Sequence, residues 1–84
     1  MESNKEILVF TGEWCSNCGP WKKMLDEKGV QYTAIDIDTD EGAALAQKHG
    51  VRALPTTLIF RDGYLDRKIV GVQLGSIKEM QESV

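Results

Sequence analysis

The sequence predicts an α/β fold in the order βαβαββα, with a four-stranded mixed sheet flanked by helices. Short apolar runs typical of strands recur at 7–11, 30–36, 56–60 and 65–70. Helix-type spacing of apolar residues follows the first run and again closes the chain. Asp62-Gly63, between the last two runs, is a strong signal for a two-residue hairpin. A strand–helix–strand unit is parallel and right-handed, and the hairpin adds an antiparallel strand, so the sheet is mixed.

The first strand and first helix meet at residues 12–17. The run Ile7-Leu8-Val9-Phe10 has β-branched and aromatic members and is typical of a buried strand. The helix should begin near Asn17, a residue type that caps helices, because Pro20 fits only in a first turn. Gly29 is expected to end the helix in a left-handed conformation. Its buried face is predicted to hold four residues, Trp21, Met24, Leu25 and Lys28.

The second half of the chain gives two more strands and two more helices. The second helix is expected over about 40–48 with Gly50 as its stop. Its three alanines, Ala43, Ala44 and Ala46, are predicted to allow a close approach to the sheet. Ser76 to Glu79 form a capping box, which predicts a last helix. The apolar stripe of that helix would be Ile77, Met80 and Val84.

Length and composition indicate one globular domain over residues 1–84. Apolar residues make up 42 % and charged residues 27 %, which is typical of soluble proteins. No apolar run approaches the roughly 20 residues of a membrane span, and the polar N-terminus is unlike a signal peptide. We therefore expect a cytoplasmic protein without membrane contact. A net charge of -3 argues against nucleic-acid binding.

The two cysteines of the chain, Cys15 and Cys18, lie between the first strand and the first helix. A C-x-x-C pair in that position predicts a reactive dithiol, because a helix N-terminus favours the thiolate. A purely structural disulfide is the weaker alternative, since closing so small a loop removes little chain entropy. A zinc site needs about four ligands, and the sequence adds only His49, expected to be a solvated helix-end residue. No metal is expected.

Three stretches resemble the thioredoxin superfamily. They are Glu13-Trp14-Cys15-x-x-Cys18, the segment 51–60 with its Leu54-Pro55-Thr56, and Val70-Gly71 after the hairpin. The resemblance implies a thioredoxin-like fold in which Leu54-Pro55 is a cis peptide facing the dithiol. Residues 28–38 look more like the glutaredoxins, and we expect no counterpart of the extra N-terminal strand and helix of full thioredoxins. We therefore expect a glutaredoxin-sized frame with thioredoxin-like active-site loops.

The chain departs from these families at three places. Ser16-Asn17 stands where thioredoxins have Gly-Pro, and we expect this pair to tune the redox potential. Val9 and Ala34 stand where thioredoxins have a buried Asp and its Lys partner. The segment 71–76 lacks the carboxylate with which glutaredoxins hold glutathione.

The resemblance implies a thiol–disulfide oxidoreductase that reduces protein disulfides. Cys15 would attack the client disulfide and Cys18 would resolve the mixed disulfide. No bound cofactor is implied beyond the reversible Cys15–Cys18 disulfide, with electrons coming from NADPH through a thioredoxin-reductase-type flavoenzyme. Ribonucleotide reductase is a plausible client, and a monomer is expected. An extended client would lie in a shallow apolar groove formed by Trp14, Leu54, Pro55, Gly71 and Val72.

Two alternatives remain open at this stage. One is a glutaredoxin-type reductant that takes its electrons from glutathione. The other is a non-enzymatic binding module in which the dithiol is incidental. For the groove, the alternative is that Leu54 and Val72 belong to the core.

Overall fold

The computed structural model describes residues 5–73, 75 and 77. The elements follow the predicted order, and they are β1 (Lys5–Thr11), α1 (Cys18–Glu27), β2 (Thr33–Asp36), α2 (Asp40–Lys48), β3 (Thr56–Arg61) and β4 (Tyr64–Val70). Of the predicted last helix, only Ile77 is among the described residues, and it is helical; Gly75, just before the predicted capping box, is helical as well. In the described part of the chain, both complete helices fall short of the length and apolar content needed to cross a membrane.

The four strands form one mixed sheet in the order β2-β1-β3-β4. β1 and β2 are parallel, whereas β1–β3 and β3–β4 are antiparallel. Asp62 and Gly63 both have positive φ, at 54° and 86°, as a type I′ hairpin turn requires. The predicted mixed sheet and hairpin are therefore confirmed.

The core divides into two clusters, one on each face of the sheet. Successive strand residues point to opposite faces, so Ile7 and Val9 face α1 whereas Phe10 faces α2. The cluster on the α1 face consists of Ile7, Val9, Trp21, Leu25, Val30, Ile59, Ile69 and Ile77. The cluster on the α2 face has Phe10, Ala46 and Leu58 at its centre. The sheet is thus a layer between helices, and the C-x-x-C pair lies where β1 leaves it for α1.

Both helices end in the same hydrogen-bonded turn. Gly29 and Gly50 have positive φ, at 73° and 66°, which confirms them as helix stops. In α1 the N–H of Gly29 donates to Asp26 O and the N–H of Val30 to Leu25 O, the two bonds of a Schellman motif. Because the N–H of Val30 completes this motif, β2 begins at Thr33 and not at residue 30 as predicted. Lys28 is the exposed C-cap and not a member of the buried face.

The approach of α2 to the sheet depends on a glycine and on only one of the three predicted alanines. Ala43 and Ala44 are exposed, whereas Gly42 and Ala46 are buried. A Cβ atom built at Gly42 would overlap the backbone oxygen of Asp36 at the end of β2. The N–H of Gly42 also donates to the Thr39 hydroxyl, which caps α2, at 2.9 Å. Position 42 therefore has no room for any side chain.

We expect Gly42→Ala to destabilise the protein by at least about 2 kcal/mol, although alanine is the better helix former. The added methyl group meets backbone, so α2 must move away from β2. Gly19→Ala is the matched control, because nothing lies within 4 Å of a Cβ atom built there. It should be neutral or stabilise by up to about 1 kcal/mol. Urea unfolding followed by circular dichroism measures both, and an equal effect of the two substitutions would contradict the close approach.

Candidate functional site

The two cysteines are joined in a disulfide and differ in access. The S–S distance is 2.08 Å and the Cα atoms are 5.4 Å apart. Cys18 is the first residue of α1 and only 2 % exposed. Cys15 precedes the helix and is half-buried. The Cys15 sulfur is therefore the more accessible of the two, and Cys18 is buried.

Backbone turns and a single side chain hold the segment that carries Cys15. The N–H of Cys15 donates to Gly12 O at 3.2 Å, and the N–H of Cys18 donates to Cys15 O at 3.3 Å. The N–H of Glu13 donates to Oδ2 of Asp38, in the β2–α2 connection, at 2.8 Å. The segment 12–17, called the dithiol loop below, is thus attached to the end of the neighbouring strand.

The start of α1 favours an anion at the position of Cys15. Asn17 is the N-cap residue, as predicted, but its side chain makes no capping hydrogen bond with a described residue. The first turn contains no acidic residue. Pro20 has no N–H, and the N–H groups of Cys18 and Trp21 donate to Cys15 O and Asn17 O, so the helix dipole and the N–H of Gly19 are what stabilise negative charge at this terminus. Cys15 lies just before this terminus and is the more accessible cysteine, so its thiolate is the one that the helix start would stabilise.

The loop before β3 contains two of the predicted groove residues, Leu54 and Pro55. Leu54-Pro55 is a cis peptide, which confirms that prediction. The N–H of Gly71, with φ of 78°, donates to Pro55 O at 2.8 Å and ties the end of β4 to this loop. Leu54 is half-buried against the α2-face cluster, so the core alternative holds for it in part. Val72 is 40 % exposed, so the core alternative is wrong there.

A cavity of about 430 Å³ lies beside Cys15. One wall is the dithiol loop, which includes the predicted site residues Trp14, Ser16 and Asn17. The opposite wall is formed by Ile37, Asp38, Arg52 and Leu54. Trp14 is 90 % exposed at its rim. Three predicted groove residues, Pro55, Gly71 and Val72, do not line this cavity.

Apart from Leu54, the residues of the opposite wall were not predicted from the sequence, and neither was Gly12 of the dithiol loop. Asp38 ends the alternating stretch 35–38, and parallel strands place their carboxyl ends at one edge of the sheet, so a signal for it existed. Arg52 has no comparable signal. A Cβ atom at Gly12 would lie 2.9 Å from Cδ1 of Leu54 and 3.3 Å from Cγ1 of Ile37, so a side chain there would require these two side chains to shift.

The core under the dithiol contains no acid among the described residues. Val9 is fully buried in the α1-face cluster, and Ala34 is its register partner on β2. The polar pair in this cluster is Trp21 Nε1–H donating to Thr57 Oγ1 at 2.9 Å, with both residues fully buried. Each described buried side-chain polar atom has a hydrogen-bond partner.

His49 is not the solvated residue expected from the sequence. Its ring lies 6.3 Å from that of Phe10 and 5.5 Å from that of Phe60, and the residue is half-buried. It is the C-cap of α2, so the helix ends over the sheet and not in water. The described residues contain no group of three or more His, Cys, Asp or Glu side chains that could hold a metal ion.

The chain was compared with known families, proteins and structures. The family model for thioredoxin matches residues 1–82. Thioredoxin 1 of Synechococcus elongatus is 34 % identical over 76 residues, covering 84 % of this chain and 71 % of the relative. Thioredoxin-1 of Saccharomyces cerevisiae is 34 % identical over 76 residues, covering 87 % and 74 %. Oxidised thioredoxin O2 of Arabidopsis thaliana has a TM-score of 0.75 and 29 % identity, covering 95 % and 74 %. Fasciola hepatica thioredoxin shares the fold, with a TM-score of 0.82, 21 % identity, and coverage of 99 % and 84 %.

Proposed function

The chain belongs to the thioredoxin family and is a thiol–disulfide oxidoreductase, and from that premise we propose how its own residues carry the reaction. Cys15 is the attacking sulfur and Cys18 the resolving sulfur. The observation that carries this assignment is their unequal access, with Cys15 half-buried before the helix and Cys18 only 2 % exposed within it. The disulfide of a client protein can therefore reach Cys15 but not Cys18.

Reduction of a client proceeds through a mixed disulfide. The Cys15 thiolate attacks one sulfur of the client disulfide, a Cys15–client S–S bond forms, and the other client sulfur leaves as a thiolate. The Cys18 thiolate then attacks the Cys15 sulfur and releases the second client thiolate. Two electrons pass from the dithiol to the client, and the enzyme is left with the Cys15–Cys18 disulfide seen in the structure.

Among the described residues, no buried carboxylate lies under the dithiol to take the proton from the Cys18 thiol. Val9 and its neighbours in the α1-face cluster are apolar, and the Thr57 hydroxyl already accepts the Trp21 N–H. A threonine hydroxyl is no base at neutral pH. Water, or the client thiolate released in the first step, therefore takes the proton.

Clients are held along the groove as extended segments. Among the described residues none makes a hydrogen bond to the backbone N–H or C=O of Leu54, next to the cis bond. These groups are free to pair with a client backbone, as in strand addition. Trp14 and Val72, both exposed, supply apolar contact on either side. Ser16 and Asn17 line the cavity beside Cys15, where hydrogen bonds to its sulfur would tune the potential.

The electron source, the compartment and the client are part of the same proposal. We propose that a thioredoxin-reductase-type flavoenzyme using NADPH reduces the disulfide, in the cytoplasm, and that the protein acts as a monomer. Ribonucleotide reductase is the client we would test first. Glutathione is the second candidate source. It is disfavoured because the sequence of the segment 71–76 contains no carboxylate residue.

Parallel reduction assays on one disulfide-containing client test this proposal. One arm supplies NADPH and thioredoxin reductase, and the other supplies NADPH, glutathione and glutathione reductase. We expect turnover in the first arm and little in the second, with Cys15→Ser inactive in both. Turnover in the glutathione arm alone would make the protein a glutaredoxin-type reductant. If neither arm turns over and the dithiol reacts no faster than a peptide thiol, the binding-module alternative stands.

A further inference from the structure

We propose that Asp38 is a positioning residue for the dithiol, acting on Cys15 through the backbone N–H of Glu13. The inference rests on the proposed function, in which Cys15 is the attacking sulfur. It concerns a residue outside the C-x-x-C pair and outside the predicted groove.

The Asp38 carboxylate is itself fixed in place. Its own backbone N–H donates to Oδ1 of Asp36 at 2.8 Å, and the N–H of Ile37 donates to Thr11 O at 2.9 Å, which extends the β1–β2 pairing by one residue. Oδ2 of Asp38 then accepts the N–H of Glu13 at 2.8 Å. The carboxylate thus reaches the dithiol loop from a rigid strand end.

This hydrogen bond has no substitute within the described structure. It is the only one that joins residues 12–16 to a described segment more than three residues away, since the others are the local turns at Cys15 and Cys18. Glu13 lies two residues before Cys15. Without the bond, the segment that carries Cys15 would be held by its own turn, by packing and, when oxidised, by the disulfide. On reduction the disulfide is lost, and the Asp38 bond matters most.

The same carboxylate also acts on Cys15 by its charge. Asp38 and Cys15 line one cavity, whose other charged groups are Glu13 and Arg52, and Asp36 lies behind Asp38. Two carboxylates and one guanidinium leave the cavity with an excess of negative charge, which disfavours a thiolate. Asp38 therefore orders the loop and opposes ionisation of Cys15 at the same time. A variant that keeps the acceptor oxygen but loses the charge separates the two effects.

The test uses Asp38→Asn, Asp38→Ala and, as the charge-matched control, Glu27→Gln at the far end of α1, about 15 Å along the helix from its start. Two properties of the reduced protein are measured. The first is the pH at which half of Cys15 is ionised, measured by the ultraviolet absorbance of the thiolate. The second is kcat/KM for client reduction, measured at a pH above the Cys15 midpoint of every variant, so that Cys15 is ionised in all of them. Urea unfolding excludes loss of fold as the cause.

For Asp38→Asn we expect the midpoint to fall by roughly half a pH unit, the order of effect of one nearby charge acting through water, with kcat/KM within about twofold. For Asp38→Ala we expect kcat/KM to fall about five- to tenfold, the order of one hydrogen bond. Glu27→Gln should change neither. Should Asp38→Ala not fold, Asp38→Ser, whose side chain is too short to reach Glu13 in the same way, replaces it.

Equal kcat/KM in Asp38→Ala and the unsubstituted protein would overturn the positioning role, as would an equal loss in Asp38→Asn and Asp38→Ala. If the Cys15 midpoint shifts as much in Glu27→Gln as in Asp38→Asn, the local effect of the Asp38 charge on Cys15 is overturned. If the unsubstituted protein reduces no client, the proposed function fails. The titration then still decides whether Asp38 acts on Cys15.

Discussion

A Cys15→Ser variant is expected to lose at least about a thousand-fold in kcat/KM for disulfide reduction, about 4 kcal/mol of transition-state stabilisation. Only a thiolate attacks a disulfide, and a serine hydroxyl does not ionise at neutral pH. Cys18 cannot take over because it is 2 % exposed, inside the first turn of α1. Reduction of a chromogenic disulfide by the pre-reduced protein measures the loss.

Cys18→Ser is the matched partner of that variant. It keeps the attacking sulfur, so the first step proceeds, but nothing resolves the product. We expect a stable mixed disulfide between Cys15 and the client, visible by mass spectrometry and released by dithiothreitol. Cys15→Ser should form no such adduct. An adduct in Cys15→Ser and none in Cys18→Ser would reverse the roles of the two sulfurs.

Trp21→Ala is expected to cost about 3–5 kcal/mol, a large part of the roughly 4–13 kcal/mol available to a chain of this length. Trp21 is fully buried in the α1-face cluster, and its removal leaves a cavity between α1 and the sheet. The Thr57 hydroxyl also loses its partner. Urea unfolding followed by circular dichroism gives the free energy.

Two variants show which part of Trp21 matters and whether burial is the cause. Trp21→Phe keeps most of the apolar volume but loses the N–H, so its cost should lie well below that of Trp21→Ala. Trp14→Ala removes the same side-chain type at a site that is 90 % exposed. It should change stability by no more than about 0.5 kcal/mol while raising the KM for clients. Similar stability losses at positions 14 and 21 would contradict the burial described for them.

Local signals predicted the element order because each lies within a few residues. Asp62-Gly63 requires positive φ wherever it occurs as a two-residue hairpin, and Gly29 and Gly50 end helices for the same reason. Where a local prediction of an element's start or buried face failed, a contact with a neighbouring element decided the outcome. The N–H of Val30 belongs to the stop of α1, so β2 starts later than its apolar pattern suggests. Two of the three alanines of α2, Ala43 and Ala44, face water because Gly42 makes the contact with the end of β2.

The sequence by itself determined the chemistry of the protein. A C-x-x-C pair between a strand and a helix, with Leu54-Pro55 further along, is enough to identify a dithiol and its partner loop. Only the tertiary structure decided which sulfur is accessible and that a cavity opens over Gly12. It also placed the Asp38 carboxylate against the dithiol loop. The physical reason is distance along the chain. Glu13 and Asp38 are 25 residues apart, and their contact exists because β1 and β2 lie side by side in the sheet.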